Sequence, residues 1–284
     1  MGKYKKILVG FDGSESSENA LLQAFRFAND EKCWITVTTV VPEYKGELDL
    51  TGVSDIRKLL LRPGEELLSK ATALAKREGA LIKTVLEEGE IFERIVDLAE
   101  AENCGIIVMG RRGMSTLERA LVGSVTARVI GHSQRDVLVV PESAKIGWKK
   151  ILLATDGSKH SLNATEKAID FAKSYGGTLT AISVVDVPDE LYAEAPTVVD
   201  ELVRKAKGYA ENVKNMARAA GVEVNTQVRE GESHEAVTRL AKDEGADLIV
   251  MGSHGRTGVK RLLMGSVTEK VIGHAPCPVL VVKV

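Results

Sequence analysis

Small residues recur twice in this chain at the spacing Gly-x2-Gly-x9-Gly-Ser. The first copy consists of Gly110, Gly113, Gly123 and Ser124, and the second of Gly252, Gly255, Gly265 and Ser266. At a helix start, free amide groups and the helix dipole attract an anion, and a serine hydroxyl adds a donor. The pattern therefore predicts a phosphate cradle built mainly from main chain. Plain turn and cap geometry is the alternative interpretation.

Each glycine position has an expected task in such a cradle. The first glycine of each copy lets the backbone come close to a ligand, and the second can take a positive φ and expose amides. The third clears space where a helix begins.

An aspartate, Asp12 or Asp156, ends an apolar run near the start of each half and is followed by Gly-Ser. These acids are candidates for ligand contact or for capping the next helix, and both roles are compatible. Ser14 and Ser158 are further candidates for that cap.

The chain is a tandem duplication of one unit. Segment 123–132 (GSVTARVIGH) recurs at 265–274 (GSVTEKVIGH), and segment 7–14 (ILVGFDGS) recurs at 151–158 (ILLATDGS). A period of about 140 residues is too long for a solenoid and fits two tandem globular domains. We predict domains at 1–142 and 149–284, joined by a polar linker.

Strand and helix patterns alternate in both halves. The predicted strands are 6–11, 35–41, 81–86, 106–109 and 137–140, then 150–154, 178–185, 223–229, 248–251 and 279–282. The predicted helices are 15–30, 54–77 and 91–102, then 159–175, 190–220 and 233–244, with one more before each final strand. Continuous Val/Ile/Leu strands predict an α/β fold with two doubly wound domains, each a five-stranded parallel sheet of order 3-2-1-4-5. Ligands bind such sheets where the strand order reverses, which brings each aspartate to its glycine loop.

Composition and charge exclude several classes of protein. The 38 Lys and Arg residues nearly balance 40 Asp and Glu residues, and aromatic residues make up 4% of the chain. This argues against a polybasic nucleic-acid or membrane-surface binder and against a base-stacking platform. No apolar run approaches the ~18 residues of a membrane span, and the first apolar stretch is too short for a signal peptide. We therefore expect a cytoplasmic protein with no nucleic-acid or membrane partner.

Catalytic and metal-binding patterns are not evident in the sequence. It carries no Walker A lysine motif, no Ser–His–Asp pattern and no pair of carboxylates for acid–base work. The cysteines at 33, 104 and 277 form no disulfide or metal pattern and are expected as buried thiols. His132 and His274 recur near the end of the last helix, where an imidazole can meet the negative end of the helix dipole. We assign no catalytic and no metal-binding residue.

In its two glycine motifs and its strand-1 aspartates, the sequence resembles the universal stress protein family, specifically its nucleotide-binding branch. The resemblance covers nearly the whole chain as two tandem domains. It depends on the glycine motif, the strand-1 aspartate and the closing Val-Leu-Val-Val strand. The family fold is an α/β sandwich around a five-stranded parallel sheet. The resemblance implies two sites for ATP or AMP and admits Mg²⁺ beside the phosphates.

The resemblance also implies roles for single residues. Asp12 and Asp156 would lie against the ribose and adenine, and the main chain of Val40 and Val184 would read the adenine edge. The implied site residues are Asp12, Val40, Gly110, Gly113, Gly123, Ser124 and Val125 in the first half, where Arg112 is added as a candidate phosphate contact. In the second half they are Asp156, Val184, Gly252, Gly255, Gly265, Ser266 and Val267.

The two glycine loops differ between the halves. Arg111 and Arg112 stand where the second loop has Ser253 and His254, and the arginines either contact phosphate or point to solvent. Arg119 and Arg261 recur and face either phosphate or an interdomain surface.

The leading function hypothesis is an adenine-nucleotide-binding stress or regulatory protein. A slow ATP hydrolase, with Asp12 or Asp156 acting through Mg²⁺ or a positioned water, is the first alternative. A nucleotide-independent oligomeric scaffold is the second. The apolar final strands 137–140 and 279–282 need cover, so we predict that they pair antiparallel within the chain. A homodimer is also expected.

Overall fold

The computed structural model describes residues 4–43, 56–113, 121–255 and 264–284. The chain divides into two compact units, residues 1–143 and 144–284. Arg119 and Arg261 lie outside the described residues, as do positions 54 and 55 at the start of one predicted helix.

The first unit alternates strands and helices around one parallel sheet. Its elements are β1 (Lys6–Gly10), α1 (Glu15–Glu31), β2 (Trp34–Val41), α2 (Ile56–Arg77), β3 (Ile82–Glu88), α3 (Ile91–Ala101), β4 (Ile106–Gly110), α4 (Ser124–His132) and β5 (Asp136–Val140). Within the unit the strand order is β3-β2-β1-β4-β5, and every pair in that order is parallel. The predicted order 3-2-1-4-5 is confirmed.

The second unit repeats this arrangement. Its elements are β6 (Lys150–Ala154), α5 (Lys159–Tyr175), β7 (Thr178–Val185), α6 (Asp189–Glu194), α7 (Pro196–Ala219), β8 (Val224–Glu230), α8 (Ser233–Glu244), β9 (Leu248–Gly252), α9 (Ser266–His274) and β10 (Val279–Val282). The order is β8-β7-β6-β9-β10, again with parallel pairs throughout.

The core of each unit lies on both faces of its central strands. Ile7, Leu8 and Val9 of β1 are fully buried, which explains why that strand reads as a continuous apolar run. Phe27 of α1 and Phe171 of α5 are among the largest fully buried side chains and occupy equivalent places in the two units. The central strands are therefore rigid supports for the loops at their carboxyl ends.

The turn after the first strand of each unit is set by glycine and serine. Gly13 and Gly157 take φ values of 80° and 75°, a left-handed conformation that favours glycine. Ser14 and Ser158 then cap α1 and α5, because their side chains accept hydrogen bonds from the amides of Ser17 and Ser161 at 3.2 Å. The predicted serine caps are confirmed.

One predicted helix is wrong as a single element. The segment 190–220 forms two helices, α6 and α7, which meet at Ala195 with φ −143° and ψ 56°. Proline disfavours helical backbone in the residue before it and suits the first helical position, so Pro196 ends one helix and starts the next.

Candidate functional site

A cleft opens at the carboxyl ends of the central strands in each unit. The first has a volume of about 430 Å³ and the second about 310 Å³. All the candidate site residues named above for the two halves line these clefts. They are Asp12, Val40, Gly110, Arg112, Gly113, Gly123, Ser124 and Val125 in the first unit. They are Asp156, Val184, Gly252, Gly255, Gly265, Ser266 and Val267 in the second.

Each strand-1 aspartate holds the serine that caps the next helix. Asp12 Oδ1 accepts hydrogen bonds from the amide of Ser14 at 3.0 Å and from its hydroxyl at 2.6 Å. Asp156 Oδ1 accepts from the amide of Ser158 at 3.0 Å. The aspartates therefore fix the capping residue, while the serine hydroxyls accept from the helix amides.

The second carboxylate oxygen of each aspartate faces the glycine loop. A Cβ added to Gly113 would lie 2.5 Å from Asp12 Oδ2, and one added to Gly255 would lie 2.8 Å from Asp156 Oδ2. The positive φ expected at Gly113 and Gly255 is wrong, because neither is among the left-handed glycines. These positions need glycine because the acid comes so close.

The first glycine of each loop has a packing role that the sequence did not predict. A Cβ on Gly110 would lie 2.8 Å from the main-chain carbon of Ser16, and one on Gly252 would lie 2.8 Å from that of His160. Gly110 and Gly252 therefore admit the first turn of α1 and α5 against the strand end. Both glycines also line the clefts, so the expectation that their backbone comes close to a ligand stays a prediction.

The last helix of each unit begins at the cleft with open amide groups. Its N-cap residues, Gly123 and Gly265, have extended backbone and no side chain to cap the first turn. The amides of Ser124, Val125 and Thr126 consequently have no intrahelical acceptor, and these residues line the first cleft. This is the geometry of an anion site at a helix N-terminus.

The helix start is tied to the strand end by two hydrogen bonds in each unit. In the first unit, Gly123 N donates to Arg111 O at 2.9 Å and Thr126 Oγ1 donates to Gly110 O at 2.9 Å. In the second unit, Gly265 N and Thr268 Oγ1 make the equivalent bonds at 2.9 and 3.1 Å. The sequence analysis missed both threonines, although the recurring GSVT contains them.

The walls of the two clefts differ. Pro63, Gly64 and Leu67 of α2 give the first cleft an apolar side. In the second cleft, Asp186 and Ser233 are part of the lining, and Ser233 N donates to Asp186 Oδ2 at 2.8 Å. These wall residues come from segments where the two halves diverge, so the repeat gave no signal for them.

The arginines of the first loop take different places. Arg112 is exposed and lines the cleft. Arg111 is half-buried, and burial together with the charge of Arg112 lowers its pKa, while Glu142 opposes that shift. In the second loop His254 lines the cleft and Ser253 is buried.

The two repeated histidines and the three cysteines have structural roles. His132 and His274 lie with Nδ1 at 2.9 and 2.8 Å from main-chain carbonyls in the last helix of each unit, as predicted for that helix end. Cys104 and Cys277 are buried as expected, whereas the expectation is wrong for Cys33, which is half-buried. Burial raises the pKa of the Cys33 and Cys277 thiols to about 12 and that of Cys104 to about 11, which keeps them protonated. Within the described ranges, no three His, Cys, Asp or Glu residues are grouped to hold a metal ion. No described helix has the length and apolar character to cross a membrane.

Comparison with known proteins agrees with this duplicated site. The universal stress protein family matches residues 3–141 and 147–283, one match for each unit. The chain belongs to the universal stress protein family. The double match, together with the glycine loops, makes it a tandem member.

Several universal stress proteins are similar to this chain. One from Methanocaldococcus jannaschii is 44% identical over 140 residues, which is 48% of this chain and 82% of that protein. One from Mycolicibacterium smegmatis is 29% identical over 98% of this chain and 96% of its own length. The crystal structure of a universal stress protein from Archaeoglobus fulgidus covers 99% of both chains with a TM-score of 0.73 and 27% identity. The tandem arrangement is thus shared with full-length relatives.

Proposed function

We propose that this universal stress protein binds an adenine nucleotide, ATP or AMP, in each unit and acts as a cytoplasmic regulatory protein without being an enzyme. The observation that carries the proposal is the presence of the same three parts in both clefts. Each combines an aspartate, a glycine loop and an uncapped helix N-terminus at the point where the strand order reverses.

The anionic end of the nucleotide would lie on the helix N-terminus. The first-turn amides of α4 and α9 offer donors that have no intrahelical acceptor, and the helix dipole favours negative charge there. The hydroxyls of Ser124 and Ser266 lie in the same lining and add one donor each. Mg²⁺ would accompany ATP as a counterion of its phosphates.

The sugar and base would occupy the other end of each cleft. Asp12 and Asp156 present carboxylates that can accept hydrogen bonds from ribose hydroxyls. The main chain at Val40 and Val184 lies at the end of β2 and β7, where it can pair with the edge of adenine. In the first unit, Pro63 and Leu67 provide apolar contact for the face of a base.

The test is to identify and titrate the ligand. Small molecules released from freshly purified, denatured protein would be analysed by mass spectrometry, and ATP and AMP would be titrated calorimetrically. Ser124→Glu and Ser266→Glu each place a carboxylate where the phosphate would lie, while an acidic residue in the first turn suits the helix. We expect two equivalents per chain, one in each single variant and none in the double variant.

Other outcomes would overturn this proposal. Folded wild-type protein that takes up neither nucleotide would leave the oligomeric scaffold as the function. ATP turnover with Mg²⁺ that disappears in the double variant would make the protein a slow hydrolase.

We also propose an assembly through the final strands. β5 and β10 are edge strands within the sheets of their own units, and each is a run of buried, mostly apolar side chains. Unpaired apolar edges promote aggregation unless they are covered. Antiparallel pairing of the two strands within the chain would provide that cover. A homodimer is proposed separately, because symmetric association is common among soluble proteins.

A further inference from the structure

The two clefts carry different basic side chains at the same point of the glycine loop. Arg112 lines the first cleft and His254 lines the second, each two residues after the first glycine of its loop. A guanidinium is charged at every physiological pH. Imidazole is the side chain whose ordinary titration lies between pH 5 and 8.

His254 belongs to a row of three side chains that continues away from the cleft. Its Nδ1 lies 3.2 Å from Ser253 Oγ, and the same oxygen lies 3.3 Å from Nδ1 of His160. The two imidazole ring centroids are 5.5 Å apart. Ser253 is only 1% exposed, so packing fixes the middle of the row. This arrangement orients the ring of His254.

The equivalent positions of the first unit, Ser16, Arg111 and Arg112, do not form such a row. Ser16 packs on Gly110 in the first unit as His160 packs on Gly252 in the second. Ser16 is therefore the counterpart of His160. Arg111 and Arg112 then replace Ser253 and His254. The first unit thus carries a fixed positive charge where the second unit has a pair of imidazoles.

The surroundings of His160 disfavour a positive charge on its ring. Burial lowers the pKa of His160, and the nearby charges of His254, Lys283 and Lys159 lower it further, while Asp156 acts in the opposite direction. Two imidazolium rings at this separation repel each other, which disfavours the doubly charged pair. The remaining charged groups in the surroundings include Asp186 in the lining of the cleft.

We propose that protonated His254 contacts the anionic tail of the ligand, so that the second cleft takes up a proton when it binds and the first does not. The inference rests on the proposed nucleotide function. Because Ser253 lies at Nδ1, a phosphate oxygen in the cleft would meet Nε2. A charge-assisted hydrogen bond of this kind is stronger than one to a neutral ring.

The direction of the pH dependence follows from linkage. An anion that binds better to a charged imidazolium than to a neutral ring links its own binding to the uptake of a proton. The additional affinity is therefore present at low pH and is lost as the pH rises. The second cleft should therefore bind more tightly at pH 6 than at pH 8.

The experiment separates the clefts and uses ATP and inorganic tripolyphosphate as probes. Calorimetric titrations at pH 6 and pH 8 would compare Ser124→Glu, in which only the second cleft is open, with the same protein carrying His254→Arg. Protonation of the probes themselves is common to both proteins and cancels in their ratio. We expect the ratio of the two affinities to change by about fivefold between the two pH values, as one partly exposed charge-assisted hydrogen bond would produce.

Reciprocal variants provide the control. In Ser266→Glu, where only the first cleft is open, Arg112→His should introduce the same pH dependence. His254→Gln, a neutral replacement, should keep the affinity measured at pH 8 at both pH values. Equal pH profiles for His254 and His254→Arg proteins would overturn the inference while leaving nucleotide binding intact. Absence of binding in every variant at both pH values would instead overturn the proposed function.

Discussion

At the scale of single residues, the close approach of the aspartate carboxylate to a loop glycine shapes each cleft. Asp12 Oδ1 is held by Ser14, while Oδ2 approaches Gly113 so closely that a Cβ would lie 2.5 Å away. The carboxylate is therefore set before a ligand arrives. Because the carboxylate is already ordered, the free-energy cost of ordering the site on binding is lower.

Gly113→Ala should weaken binding in the first cleft without unfolding the protein. The new methyl group collides with the tip of a side chain that can rotate, so Asp12 would leave its place while the backbone stays. In the Ser266→Glu background we expect the affinity for ATP to fall about tenfold, which corresponds to ~1.4 kcal/mol. Calorimetric titration measures this change.

Gly208→Ala is the matched control for this substitution. Gly208 lies in α7 with open space where a Cβ would go, so alanine should add ~1 kcal/mol of stability and leave binding unchanged. An unchanged affinity in Gly113→Ala would show that the aspartate–glycine contact does not contribute to binding.

Two neighbouring threonines of β2 should respond in opposite ways to replacement by valine. Thr38 is 1% exposed, and its hydroxyl has no partner among the described residues. Thr39 is also buried, and its hydroxyl donates to Phe11 O at 2.8 Å. Thr38→Val should raise the free energy of unfolding by about 1 kcal/mol, and Thr39→Val should lower it by a similar amount.

Urea unfolding followed by circular dichroism measures both free energies. Equal losses in the two variants would mean that the hydroxyl of Thr38 is satisfied after all, for instance by a bound water.

At the scale of elements, the close packing of a helix on a strand end decides where the cleft lies. The first turn of α1 meets Gly110, and the first turn of α5 meets Gly252, with main-chain atoms within 3 Å of an added Cβ. Backbone cannot rotate away as a side chain can, so the helix itself must shift if a Cβ is added. The glycine at the end of β4 or β9 therefore sets the distance between the helix and the loop.

Gly110→Ala should destabilise the fold more than Gly10→Ala does. A Cβ on Gly110 meets the main chain of Ser16 and Ser17, whereas one on Gly10 mainly meets the flexible side chain of Met109. We expect a loss of about 2–3 kcal/mol for Gly110→Ala, typical of overpacking, and a smaller loss for Gly10→Ala. Guanidinium unfolding tests the order, and a larger loss for Gly10→Ala would contradict it.

The sequence predicted the elements well because most of their signals are local. Apolar runs located the strands, and Ser14 and Ser158 located the first helices. The break at Ala195 also had a local signal in Pro196 that the helical periodicity obscured. The meeting of the aspartates with the glycine loops was likewise predictable, because the strand order fixes which loops lie together.

The contacts within the site were not predictable in the same way. The tasks of Gly110 and Gly113 depend on how closely α1 and Asp12 approach them, which is a tertiary distance. The walls formed by Leu67 and Asp186 come from segments where the two halves differ, so repetition could not identify them. Sequence spacing thus predicts which residues lie close together, whereas the contacts that each residue makes depend on tertiary packing.

At the scale of the whole molecule, duplication gives each unit an apolar strand at one edge of its sheet. β5 lies next to β4, and β10 lies next to β9, each at the end of the order within its own unit. Charged residues, bulges or a covering element are the usual protection of such edges. The segments Val137–Val140 and Val279–Val282 consist only of valine and leucine, so covering is the protection left to them.

Crosslinking should join the two edge strands within one chain. In a background carrying Cys33→Ser, Cys104→Ser and Cys277→Ser, Leu138→Cys would be combined in turn with Leu280→Cys and with Val281→Cys. Neighbouring positions face opposite sides of a sheet, so antiparallel pairing should allow only one of the two combinations to oxidise readily. Ile82→Cys in β3, at the opposite edge of the first sheet, replaces Leu138→Cys in the control. Mass spectrometry would distinguish a link within one chain from a link between two. Failure of both combinations, or links formed only between chains, would show that these strands do not cover each other within the chain.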